Sequence, residues 1–160
     1  MQPLCLLLGI DPNNFSKEEL EILEVDLFLR IYHKLKEIIR EKNREYFRIM
    51  KFNVEKENAM IEVKFIRSII TEIISTGEYN LTGIARYADI PEDVIYELAC
   101  GYNFDPALLT SRKIVELDRT VRPDVYRGIA SKIRQELLVT TESVNEKLDC
   151  CQQHENSSIA

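Results

Sequence analysis

A chain of 160 residues with 45% hydrophobic side chains is long enough to bury one core and sits near the size of a single domain. Its formal charge of -6 and pI near 5.1 exclude a protein that coats nucleic acid or an anionic membrane through net charge alone. Five glycines, five prolines and no tryptophan, with Leu, Ile, Glu, Lys and Arg between the breakers, favour helix over sheet and an all-α fold.

Residues 1–15 read as an irregular lead-in, because Pro3, Gly9, Asp11-Pro12 and Asn13-Asn14 all favour turns. The apolar run Leu4 to Ile10 has no positive region before it and is too short to span a bilayer, so neither an export signal nor a membrane anchor is expected. Ser16 followed by Glu19 is a capping box. Leu20, Leu23, Leu27, Ile31, Leu35 and Ile38 then recur at steps of three and four, the stripe of an amphipathic helix. The stripe breaks over Arg40 to Glu45, where the helix either runs on as a solvated stalk or turns near Asn43, and it resumes with Tyr46, Phe47, Ile49 and Met50.

Asn53 is placed to cap a helix from Val54 that carries Met60, Val63, Ile66, Ile70, Ile73 and Ile74 and stops at Gly77. Asn80 caps a short helix to Ala88, Pro91 opens another to Cys100, and Gly101 ends it. Pro106 opens the next, through Leu108, Leu109, Ile114 and Leu117, and Pro123 opens the last, with Val125, Ile129, Ile133 and Leu137. The division expected is a helical extension over 1–64, a helical domain over 65–138, and a tail over 139–160 that is disordered toward its end.

Charge is unevenly spread. From Arg30 to Lys51 the chain carries Arg30, Lys34, Lys36, Arg40, Lys42, Arg44, Arg48 and Lys51 against Glu37, Glu41 and Glu45. Farther on, Glu72, Glu78, Asp89, Glu92, Asp93, Glu97, Asp105, Glu116 and Asp118 outnumber Arg67, Arg86, Arg112, Lys113 and Arg119. A basic arm is thus joined to an acidic module. The bland reading of the arm is a solvated helix face laced with pairs among Lys34, Glu37, Arg40 and Glu41; the functional one is contact with phosphate, an anionic partner or the acidic module itself.

Chemistry-bearing groups are few. Cys5, Cys100, Cys150 and Cys151 form no C-x-x-C and no disulfide framework, which fits a reducing cytoplasm. His33 stands beside apolar stripe residues and reads as a partly buried side chain, and Cys150, Cys151 and His154 lack the spacing of zinc ligands. No phosphate-binding glycine loop, Ser-His-Asp grouping or carboxylate pair in a recognisable setting is present, so no catalytic residue, metal or cofactor is expected.

From Asn80 to Pro106 the pattern is that of two short helices meeting at a tight turn: Ala85 where backbones approach, Ile90 with Ile95 facing inward, Asp89 in the turn. With Ile84, Leu98, Gly101, Pro106 and Leu117 at matching spacings, the segment Ile66 to Leu117 resembles the lambda-repressor-like, Cro-type helix-turn-helix family. The resemblance implies a helix-turn-helix bundle whose second motif helix enters the major groove of double-stranded DNA, in a transcriptional regulator acting as a homodimer. Carried onto this chain, Glu92, Asp93, Tyr96 and Glu97 would face bases, while Asn80, Thr82, Arg86, Arg112 and Lys113 would serve the phosphate backbone. Dimerisation falls to the stripe Leu20 to Ile38 and to the weaker one from Val125 to Leu138.

Two departures from the family pattern stand out. Asp89 replaces the turn glycine, which Asp tolerates because it visits the left-handed region more readily than most residues. The acidic second helix is graver: carboxylates meet like charge on approaching phosphate and release no counterions, although they can accept from a cytosine amino group. Acids in a first helical turn are also favoured by the helix dipole, typically by about 0.3–1 kcal/mol, which explains Glu92 and Asp93 without function and leaves Glu97. The rival expectation is a helix-turn-helix scaffold turned to protein binding through an acidic face.

Overall fold

In the computed structural model, which describes residues 3–102 and 106–138, the capping box forms as the spacing requires. Ser16 Oγ accepts from the Glu19 amide at 3.3 Å, and the Glu19 carboxylate accepts from the Ser16 amide at 2.8 Å. This opens α1 (Lys17–Lys42), which ends where Asn43 Nδ2 donates to the Ile39 carbonyl at 2.8 Å. The chain therefore turns at Asn43, and the basic run is split between α1 and α2 (Arg44–Ile49). Phe47 of α2 is buried and stacks on Phe52, ring centroids 6.0 Å apart. Asn53 then caps α3 (Val54–Ser75) by accepting from the Lys56 amide at 3.0 Å.

Beyond Gly77, α4 (Leu81–Ala88) is capped by Asn80, α5 (Glu92–Cys100) follows the turn, and α6 (Leu108–Val121) and α7 (residues 123–138) complete an all-α bundle. Strands are absent among the described residues, and none of their helices is long and apolar enough to cross a membrane. The central element is α3, packed on α1, α5 and α6. Because three neighbours surround it, its buried positions form a wide band: Ile61, Phe65, Ile66, Ile69, Ile70 and Ile73. Of the stripe expected from the sequence, Ile66, Ile70 and Ile73 are buried and Met60 is half-buried, while Val63 and Ile74 are exposed at 46% and 40%.

One core cluster joins Leu27, Phe28, Ile31, Leu35 and Ile39 of α1 to α3, to Ile84, Ile95 and Leu98, and to Ile114, Leu117, Tyr126, Ile129 and Ile133. The helix before residue 64 and those after it thus share buried surface. Much of the α1 stripe is used here, Tyr32 lying against Phe65 with centroids 4.1 Å apart. A different α1 face, Ile22, Val25 and Leu29, remains exposed at 72%, 51% and 54%.

Several local expectations are corrected. The lead-in contains a 3-10 helix, Leu4–Leu8, with Cys5 and Leu8 buried. Both of its ends are held: Glu24 accepts from the Leu4 and Cys5 amides at 2.8 and 2.9 Å, and Arg134 donates to the Leu8 carbonyl at 2.7 Å. Burial, reinforced by the Glu24 carboxylate, raises the Cys5 thiol above its ordinary pKa. Leu108 and Leu109 are exposed at 65% and 63%, one lying a turn before the first buried residue of α6, the other on its Lys113 side. His33 is exposed, 3.8 Å from Glu37. Asp105, Cys150, Cys151, His154 and the 139–160 tail lie outside the described residues.

Candidate nucleic-acid interface

The pair α4–α5 is held together by its buried side. Ala85 and Ala88 let the helices approach, and Ile84, Ile95 and Leu98 sit at 0%, 0% and 2% exposure. The turn is made by Asp89, with φ of 50°, in the left-handed region that glycine enters most readily and Asp more readily than most residues. Lys113 braces that turn from α6: its ammonium donates to the Asp89 carbonyl at 3.2 Å and lies 3.9 Å from the carboxylate. At the far end Gly101, φ 78°, closes α5 in the left-handed conformation.

With one face buried, α5 presents the other to solvent. Glu92, Asp93, Tyr96 and Glu97 are all exposed. Glu92 accepts from the Thr82 hydroxyl at 2.5 Å, which ties the start of α5 to α4, and Asp93 Oδ1 accepts from the Val94 amide at 3.0 Å. Tyr96, 47% exposed, and Glu97 have no side-chain hydrogen bond or ion pair among the described residues. Tyr102, at 81%, and Tyr87, at 49%, are exposed aromatics that the motif reading passed over. Neither occupies a position that the family pattern marks, so only composition could have flagged them.

The side chains expected at the backbone are differently disposed. Asn80 Oδ1 is engaged in capping α4 through the Gly83 amide at 2.8 Å, and the Thr82 hydroxyl in the bond to Glu92. Arg112 is turned toward α1, 3.8 Å from Glu24, and Lys113 toward the turn. Arg86 is exposed and makes no ion pair among the described residues. The structure thus gathers Thr82, Glu92 and the rest of the acidic face around the α4–α5 junction, places Lys113 beside it, and turns Arg112 away.

The basic arm is likewise spoken for. Lys36 pairs with Glu62, Arg40 with Asn58, and Lys42 with Glu72, all on α3; Lys34 reaches Glu136 of α7 at 2.6 Å. The bond to Glu136 raises the Lys34 pKa, and the same bond lowers that of Glu136. Farther along, Arg44 pairs with Glu41 and Arg48 with Glu45. None of these bonds goes to Glu92, Asp93 or Glu97.

A buried polar cluster at the α6–α7 junction was missed by the sequence reading. Asp118, 0% exposed, accepts from both Arg122 Nε at 2.7 Å and Arg122 Nη2 at 2.5 Å, and from the Tyr126 hydroxyl at 2.8 Å. Arg122 Nη1 also donates to Glu72 at 2.9 Å. Burial opposes the Arg122 charge, yet the carboxylates of Asp118 and Glu72 hold its pKa above the ordinary value. Burial, with the Asp118 charge alongside, pushes the Tyr126 phenol well above its usual range. No protein-family model, curated protein or solved structure matches this chain.

Proposed function

We propose that α4 and α5 are a helix-turn-helix of the lambda-repressor-like type and that the chain is a DNA-binding transcriptional regulator. The observation that supports it is the two-sided character of α5: Ile95 and Leu98 anchor it, while Tyr96 and Glu97 are exposed and form no side-chain hydrogen bond or ion pair among the described residues. A helix held on one side by its core and open on the other is the shape a major groove admits. In this reading Tyr96 and Glu97 reach base edges, and Arg86 with Lys113 approaches phosphates.

The regulator acts as a homodimer, joined through the exposed α1 face. Packing two copies of α1 antiparallel about Val25 and Asp26 sets Ile22 against Leu29 and Glu21 against Arg30, so an apolar contact is flanked by an ion pair along the seam. Sedimentation of the Ile22→Glu, Leu29→Glu variant should give half the mass of the parent.

A second reading, a protein-binding module with an acidic face, is favoured by a specific observation: the cations that would neutralise α5 are engaged elsewhere, Arg112 with Glu24 and the arm with α3 and α7. Glu97→Lys separates the two. On a groove-facing helix the substitution removes one repulsion and adds one phosphate contact, so affinity for a random duplex rises, most at low salt. No change in duplex affinity removes α5 from the DNA interface.

A further inference from the structure

Four cationic side chains line one groove: Lys42 of α1, Lys64 and Arg67 of α3, and Arg122 at the α6–α7 junction. Among the described residues, Glu72 is the single carboxylate lining it. Such an excess of positive charge is a local reversal in a chain whose formal charge is -6. The groove has a volume of about 450 Å³, within the roughly 300–1,000 Å³ typical of small-molecule sites. Its apolar lining comes from Leu35, Ile38, Ile39, Ile69 and Val125, of which Ile38 and Val125 are half-buried and the others buried.

The cations differ in availability. Arg122 is held by Asp118 and Glu72, and Lys42 shares Glu72 with it. Lys64 and Arg67 are exposed and form no ion pair among the described residues; the Lys64 ammonium rests 5.6 Å from the centre of the Tyr46 ring. These two, one turn apart on α3, are therefore able to meet an incoming anion without breaking an existing bridge. Arg122 is neutralised by Asp118 and Glu72, so the charge available to an incoming anion rests on Lys64 and Arg67.

We propose that this groove binds a small amphipathic anion, a carboxylate or phosphate head on a short hydrocarbon chain. Lys64 and Arg67 take the head, and Ile38 and Val125, the half-buried apolar side chains of the lining, take the chain. A nucleic-acid strand fits less well, because among the described residues no aromatic side chain lines the groove for bases to stack on. The site is built from α1, α3 and the α6–α7 junction, so it stands whether or not α5 contacts DNA.

The test is calorimetric titration of the full chain with octanoate and octyl phosphate, each below its micellar concentration, against octanol and inorganic phosphate. Octanoate and octyl phosphate should bind with one site per chain, and the head alone or the chain alone about tenfold or more weakly, as expected when a charge-assisted contact is lost. Lys64→Glu with Arg67→Glu should abolish binding while leaving the helical circular-dichroism spectrum intact. Lys64→Met with Arg67→Met, which keep the apolar stems, should weaken it in the same direction. Equal binding of octanol and octanoate, equal binding of phosphate and octyl phosphate, or undiminished binding by both double variants would overturn the proposal.

Discussion

Asp118 is the residue on which the most interactions converge. A fully buried carboxylate is tolerated only when its oxygens are satisfied, and here a bidentate guanidinium and a phenol satisfy them. Asp118→Ala would leave Arg122 with only its Glu72 bond and its remaining donors without a carboxylate; a loss of about 1–3 kcal/mol is expected from urea unfolding. Tyr126 adds a pH dependence. Its folded pKa is raised, so above a tyrosine's ordinary value near 10 the unfolded chain has released a proton that the folded chain still holds. The stabilisation is complete below that pH and declines as pH rises toward the folded value, with a slope of up to about 1.4 kcal/mol per pH unit. Tyr126→Phe should remove that part of the slope, seen as a flatter stability curve above pH 10. This cluster was hard to read in sequence because Asp118, Arg122 and Tyr126 are spaced at four-residue steps across Pro123, which reads as a helix boundary and hides their shared face.

At the scale of elements, residues that act on their immediate neighbours were legible. The Ser16–Glu19 box and the Asn53, Asn80 and Gly101 caps all stand where the spacing put them, because capping is settled within a few residues. The buried band of α3 was legible in part: Ile66, Ile70 and Ile73 stand in it as expected, but Ile61, Phe65 and Ile69 widen it and Val63 and Ile74 fall outside, since a helix packed on α1, α5 and α6 is apolar over much of its circumference and leaves periodicity little to choose between. The α4–α5 turn offers a direct test. Asp89 holds φ at 50°, and Lys113 donates to its backbone carbonyl, a bond that any residue at 89 retains. Asp89→Gly should therefore leave the melting temperature unchanged or higher, while Asp89→Val, β-branched in the left-handed region, should cost about 1–2 kcal/mol. Equal stability of the two variants would mean the turn is not strained.

Over the whole molecule, the contrast between basic arm and acidic module resolves into cross-bracing. Lys34, Lys36 and Lys42 pair across helices with Glu136, Glu62 and Glu72 and bind α1 to α7 and α3. Charge sums along the sequence displayed the asymmetry but could not reveal this pairing, since the partners are separated by tens of residues. The acidic face of α5 was fully legible, and it sets the decisive question: whether a helix bearing Glu92, Asp93 and Glu97, flanked by Arg86 and Lys113, approaches phosphate. Fluorescence anisotropy of a labelled random duplex, titrated with the full chain over a falling salt series, answers it most directly. The DNA reading predicts measurable affinity at low salt that declines linearly in log–log form as salt rises, and weakens further in Arg86→Glu. Absence of binding at the lowest salt, where the phosphate contribution is greatest, would contradict it and leave the acidic face to a protein partner.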